Sequence, residues 1–289
     1  MQVPARFEYE AASSVGEALD LLGRYGEDAL VLAGGHSLIP MMKLRLASPE
    51  VVIDISGLDG ELRYIEEDGG GLRIGALTRH RELLESPVIR ERYTLLADAE
   101  RMIADPLVRN MGTLGGALAH ADPAEDLPAA FLALDAGVVA RGPDGERTIG
   151  VDGMYFGPYE TALEHGEIIT EVRIPRAPGG SAYTKVERRA GDWTSASVGV
   201  ALDTEDGEIK AIRIGMAGVG DRTLRATEAE EVLMGQRPGE DLYRRAGEAA
   251  AGACNPIDDP RGTPEYKRDL IRTIVGRTVA KAFERAQGR

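Results

Sequence analysis

Two short turns limit what this chain can become. Leu32-Ala33-Gly34-Gly35-His36-Ser37-Leu38 and Asn110-Met111-Gly112-Thr113-Leu114-Gly115-Gly116-Ala117 each set paired glycines beside a hydroxyl residue, next to a buried-type apolar stretch. Glycine admits positive φ and lets a ligand come into contact with the main chain. Successive N–H groups left pointing one way form a concave anion site, to which Ser37 and Thr113 add hydroxyls. That chemistry suits a pyrophosphate. The chain is acidic, with a formal net charge of −14, so its long-range field repels such a dianion and local dipoles must do the attracting. Neither turn is a G-x-G-x-x-G or a Walker A sequence, so the Rossmann and P-loop readings lack their defining pattern. One glycine pair alone reads as a tight turn with packing glycines. Two, each with an adjacent hydroxyl, favour binding.

The same acidity removes nucleic acid from consideration, because no basic footprint is visible. At 289 residues and 43% hydrophobic, the chain has material for a sizeable core and roughly two domains. No apolar run approaches the ~20 residues of a membrane span, and Met1-Gln2-Val3-Pro4-Ala5-Arg6 has no apolar signal segment, so secretion is not expected. The lone cysteine, Cys254, cannot form an internal disulfide or supply the roughly four ligands of an iron–sulfur cluster. The four histidines (His36, His80, His120, His165) lack metal-type spacing. Metal chemistry is therefore expected on another chain.

Along the chain, Ser14-x-x-Glu17 is a capping-box pattern opening a helix that Gly23 and Gly26 end. Ala29–Ala33 and Val51–Ile55 read as strands, so the first segment is a parallel βαβ-type unit. After residue 58, short strands (Leu72–Ile74, Val138–Ala140, Val172–Ile174) alternate with helices over Thr78–Leu84, Leu95–Met102 and Pro128–Leu134. Pro175-Arg176-Ala177-Pro178-Gly179-Gly180 marks a boundary. Beyond it, Ser197–Leu202 and Ile209–Met216 form a hairpin about Asp206-Gly207. The rest is helical: Thr227–Met234 ended by Gly235, then Glu240–Ala251, then a long helix from Pro264 with a core-facing apolar stripe.

Longer motifs around the two turns resemble a known family. Leu32 to Pro40, the run Ile103-Ala104-Asp105-Pro106-Leu107-Val108-Arg109-Asn110-Met111-Gly112-Thr113-Leu114-Gly115-Gly116, and Ala119-His120-Ala121-Asp122-Pro123-Ala124-Glu125-Asp126-Leu127-Pro128 are similar to the FAD-binding medium subunits of carbon monoxide and xanthine dehydrogenases, the molybdenum hydroxylases. So is Gly191-Asp192-Trp193, and the likeness extends to the tail around Tyr266-Lys267-Arg268. The resemblance implies an α+β chain with an FAD-binding fold of the p-cresol methylhydroxylase/vanillyl-alcohol oxidase type. A small N-terminal βαβ unit (1–57) and a larger α+β unit (58–176) are followed by an antiparallel sheet with helices (177–289).

It also implies site residues. Ala33, Gly34, Gly35, His36, Ser37 and Leu38 line the diphosphate, and Thr113, Gly115 and Gly116 supply a second cradle. Asp126 bonds the sugar-like part of the cofactor, although from the residues alone it serves equally as N-cap of the helix at Pro128. Ile169 is an apolar contact, Lys185 a cation at the flavin's polar edge or else an exposed strand lysine, and Trp193 an aromatic beside the ring or a core or rim residue. His120 and Cys254 read as structural.

The family role is to pass electrons from a small partner with two [2Fe–2S] clusters, fed by a large molybdenum-cofactor subunit, to an external acceptor. Implied too are a dimer of heterotrimers, a cytoplasmic location that meets the membrane only through partners, and no catalytic residue in this chain. Two other readings stay open: a free-standing flavin oxidoreductase of the same fold, and a non-redox scaffold or assembly protein.

Overall fold

The computed structural model describes residues 3–288. Its first unit is a three-stranded parallel sheet in the order β1 (Glu8–Ala11), β3 (Val51–Asp54), β2 (Ala29–Leu32), with α1 (Val15–Tyr25) crossing between β1 and β2. Ser14 caps α1 by accepting the Glu17 amide at 3.1 Å. The Glu17 carboxylate reaches one residue further back than a standard capping box, to the Ser13 amide at 2.7 Å. Gly23 lies inside the helix, and Gly26 alone ends it, with φ 59° and its amide on the Leu22 carbonyl. Between β2 and β3 runs α2 (Leu38–Lys43), which begins directly after the first glycine pair.

The middle unit carries a five-stranded antiparallel sheet in the order β4 (Ile65–Asp68), β5 (Gly71–Gly75), β10 (Ile168–Ile174), β6 (Gly137–Gly142), β7 (Gly145–Gly150). A four-residue helix, α3 (Asp59–Leu62), precedes it, and the small pair β8 (Tyr155–Gly157) and β9 (Glu160–Thr161) lies before β10. Between β5 and β6 come α4 (His80–Glu85), α5 (Pro87–Arg92), α6 (Thr94–Met102), α7 (Pro106–Met111), α8 (Leu114–His120) and α9 (Asp126–Ala133). The second glycine pair is therefore the first turn of a helix and not a loop: Thr113 caps α8 by accepting the Gly116 amide at 3.2 Å. Asp126 is the first helical residue of α9 and its carboxylate makes no capping bond; the N-cap position belongs to Glu125.

The last unit is the sheet β11 (Gly180–Val186), β12 (Ala196–Glu205), β13 (Glu208–Ala217), β14 (Leu224–Arg225), backed by α10 (Thr227–Leu233), α11 (Glu240–Gly252) and α12 (Pro264–Ala286). The hairpin turns at Asp206-Gly207, both at positive φ, and Gly235 at φ 71° follows α10. Every residue of α9 is buried, because it is clamped between the middle core and this sheet. A side chain at Gly215 or Gly199 would run into the Ala129 backbone, so the two glycines let α9 lie on β12 and β13. Cys254 packs in this core, donates to the Ala250 carbonyl, and burial pushes its thiol up to about 11, leaving it unreactive.

Asp98 on α6 ties this unit to the middle one. Its buried carboxylate accepts Arg285 at 2.7 and 3.1 Å, Lys281 at 2.9 Å and the Tyr183 amide at 3.3 Å. Burial alone would raise its pKa, but the Arg285 and Lys281 bonds outweigh it and hold the carboxyl below its usual range. A depressed folded pKa stabilises fully above the ordinary value of about 4 and is lost as pH falls through the folded one. Asp98→Asn is therefore expected to cost about 1.5–3 kcal/mol at neutral pH and to flatten the acid limb of the stability profile, measured by urea unfolding across that range. An unchanged acid limb counts against the linkage.

Candidate functional site

A cleft of about 730 Å³ opens where the three units meet. Its first wall is the loop that leaves β2. From Gly34 to Leu38 no amide nitrogen has a hydrogen-bond acceptor among the described residues, so five successive donors stand free. Gly35 makes the bend at φ 74°. Gly34 serves differently: a Cβ there would be driven into the Met111 carbonyl and reach 3.0 Å from the Gly112 Cα, so the missing side chain lets the two glycine turns touch backbone to backbone.

The second wall is not a matching cradle. The Gly115 amide is bonded to the Ala76 carbonyl at 2.8 Å, and the Gly116 amide is spent on Thr113 Oγ1. These residues contribute shape: Gly115 is packed against Ala76, while Gly116 presents bare main chain to the cleft. The anion-binding power thus lies in the first loop, and the expected symmetry of the two turns is absent.

Further in, Asp126 Oδ2 pairs with Lys185 Nζ at 2.8 Å and Oδ1 accepts the Tyr183 hydroxyl at 2.6 Å. Burial pushes the Asp126 carboxyl up, opposed by Lys185 and Tyr183. Lys185 is almost fully buried, also reaching the Met102 carbonyl at 3.1 Å, and so is not an exposed strand lysine. Beside it, Glu125 Oε2 is buried without a partner among the described residues. Burial, then the charges of Asp122 and Asp126, push the Glu125 carboxyl well above the usual range, which favours its neutral form.

Ile169 sits buried at the point where the β10–β6 register shifts. Trp193 stands at the rim, 39% exposed, and is not a core residue. Its loop is fixed by Gly191 at φ 77°, where a Cβ would strike the Ala104 carbonyl. Ala104 and Tyr159 border the cleft with φ of 47° and 61°, a conformation that non-glycine residues adopt uncommonly.

All thirteen residues singled out from the sequence line this one cleft: Ala33, Gly34, Gly35, His36, Ser37 and Leu38; Thr113, Gly115 and Gly116; Asp126, Ile169, Lys185 and Trp193. Sequence reading missed Glu125, although it adjoins Asp126, and His80, which lies between no recognisable signals. His120 is also in the wall, its ring 5.2 Å from that of Tyr159.

A row of free amides closing one end of a large, otherwise mostly apolar cleft is the site of a protein that carries a diphosphate-linked cofactor. A family model described as the FAD binding domain in molybdopterin dehydrogenase matches residues 5–177, and one described as the CO dehydrogenase flavoprotein C-terminal domain matches residues 181–282. The chain is 43% identical to the carbon monoxide dehydrogenase medium chain of Hydrogenophaga pseudoflava, covering 98% of this chain and 99% of that one. It is 40% identical to the nicotine 6-hydroxylase medium subunit of Paenarthrobacter nicotinovorans, covering 99% and 100%. A solved structure of the Hydrogenophaga pseudoflava carbon monoxide dehydrogenase superposes with a TM-score of 0.95 at 45% identity, covering 98% and 99%. The chain belongs to the family of FAD-binding medium subunits of the molybdenum hydroxylases, flavoprotein oxidoreductases whose cofactor is FAD. The five unpartnered amides fit that cofactor, since its diphosphate supplies the acceptors they lack.

Gly35→Val places a β-branched residue at positive φ and against Ile39, and is expected to abolish retained flavin absorbance in the purified chain. Gly23→Ala, in open space on α1, is expected to keep it. Full flavin content in Gly35→Val would sever the first loop from cofactor binding.

Proposed function

We propose that this chain is the electron-transfer flavoprotein of a molybdenum hydroxylase complex. It takes electrons from a small [2Fe–2S] subunit, fed by a large molybdenum-cofactor subunit, and passes them to an external acceptor. The observation that carries this reading is the row of free amides from Gly34 to Leu38 at a cleft all three units share. The full-length likeness to medium subunits supports it, and so does the single buried cysteine, too few for a cluster of this chain's own. Bound FAD supplies a centre able to take electrons singly and release them singly or in pairs. The chain's own part is to hold and surround that centre.

The first loop grips the diphosphate; Thr113, Gly115 and Gly116 shape the opposite wall; Asp126, fixed by Lys185 and Tyr183, meets the sugar-like part. Ile169 supplies an apolar contact, Lys185 a cation near the polar edge, and Trp193 an aromatic rim. We assign the units as 1–57, 58–176 and 177–289; each holds most of one of three apolar clusters, with Leu58, Leu62, Leu77 and Ile168 packing with the first and Tyr183, Ala201 and Ala217 with the middle one. Among the described residues no helix is long and apolar enough to cross a membrane. A cytoplasmic complex, a dimer of heterotrimers, meets the membrane through partners if at all. The medium subunits it resembles are named for work on carbon monoxide and on nicotine, so substrate choice is assigned to the large subunit.

Co-expression with the neighbouring subunits and affinity purification is expected to recover a three-component complex. In it, anaerobic substrate bleaches the flavin only when the [2Fe–2S] subunit is present. Direct bleaching of the isolated chain by substrate would instead make it a free-standing oxidoreductase, and a complete complex whose flavin stays oxidised would make it a scaffold.

A further inference from the structure

The cleft wall contains a buried acid–imidazole pair that the reading above leaves unused. His80, the first residue of α4, is 5% exposed and lines the cleft. Its Nδ1 lies 3.2 and 3.4 Å from the two oxygens of Glu100 on α6, a side chain with no exposure at all. The other ring nitrogen, Nε2, has no hydrogen-bond partner among the described residues, and it is not one of the polar atoms sealed in the core. Gly112 leaves room for the ring: a Cβ there would come 2.8 Å from Cδ2 and 3.2 Å from Nε2. The His80 amide bonds the Gly112 carbonyl at 3.3 Å, and the Gly112 Cα in turn abuts Gly34. The imidazole edge thus stands at the seam between the two glycine turns, where the row of free amides begins.

We infer that His80 is a second anchor for the cofactor's diphosphate, donating from Nε2 to a phosphate oxygen, with Glu100 as the positioning residue that fixes the ring and its proton. The inference rests on the FAD reading of the cleft. Among the described residues no arginine lines the cleft, and its one lysine, Lys185, is committed to Asp126. Of the three histidines in the wall, His36 is exposed with no orienting partner and His120 is turned on Tyr159. Only His80 has a carboxylate behind it.

The proton inventory of the pair decides what it can do. With one proton shared between Nδ1 and Glu100, the pair is either carboxylate with imidazolium or carboxylic acid with neutral imidazole. Both forms present Nε2–H to the cleft, and both are neutral overall. Removing that proton leaves Nδ1–H on the carboxylate and turns the Nε2 lone pair toward the phosphate, which repels it. The other charged groups acting on Glu100 are Asp126 on α9 and Arg109 on α7, of opposite sign. Burial pushes the Glu100 carboxyl up, which favours keeping the shared proton.

The test uses the full chain freed of FAD and measures calorimetric affinities for FAD, ADP and riboflavin. His80→Ala is expected to weaken FAD and ADP roughly 10- to 100-fold, the range of a hydrogen bond to a charged group, and to leave riboflavin, which has no diphosphate, unchanged. His80→Gln restores a donor and is expected to recover part of the FAD affinity. Glu100→Gln keeps a polar partner that donates to Nδ1 and leaves Nε2–H in the cleft, so it is expected to retain more FAD affinity than Glu100→Leu, which leaves the ring unfixed. Equal loss for all three ligands would reduce His80 to packing, and an unchanged FAD affinity in His80→Ala would overturn the anchor. A wild-type chain without FAD affinity would overturn the cofactor reading itself, and the inference with it.

Discussion

The contact between main chain at Gly34 and main chain at Met111–Gly112 is the constraint on which the rest of the molecule depends. Two loops from different units can approach this closely only where neither carries a Cβ between them. The loop that follows keeps its amides from Gly34 to Leu38 without internal partners, half-buried or exposed, and free to donate into the cleft. A ligand with clustered anionic oxygens resolves the deficit. The parallel strands β2 and β3, the capped start of α8 and the bridge between Arg79 and Thr113 all serve to hold those two stretches in register.

Charge is handled locally throughout. A chain carrying −14 overall gathers its cleft cation, Lys185, against Asp126 and leaves no unpaired lysine or arginine facing the ligand. Attraction for a dianion is then left to dipoles and protonated groups, which act at short range and are little affected by the repulsive far field. Glu125 belongs to the same scheme: burial pushes its carboxyl up and so opposes another negative charge in the wall.

The sequence was most legible where chemistry is local. The strands Ala29–Leu32 and Val51–Asp54, the hairpin at Asp206-Gly207 and the C-terminal helices follow from period, turn residues and caps. The long motifs led to a family whose fold the chain shares, and the residues drawn from them converge on one cleft. Less legible were α5 and α7, six residues each and opened by proline, too short for periodicity to register. The dipeptide Gly115-Gly116 read as a turn because helix propensity argues against it; the Thr113 cap and close packing on Ala76 override that. Asp126 read equally as a cap and as a cofactor contact, because nothing local announces Lys185, 59 residues away. Glu100 and His80 were invisible for the same reason, since each acquires meaning only from a partner distant in sequence.

The C-terminal helix acts on the cleft from a distance. Lys185 sits on β11, and β11 is held against α6 by the grip of Lys281 and Arg285 on Asp98 and by the bond from Arg285 to the Ser181 carbonyl. Loosening that clasp leaves both glycine loops in place and unseats the strand that carries Lys185, so the far helix sets the third side of the cavity without touching it.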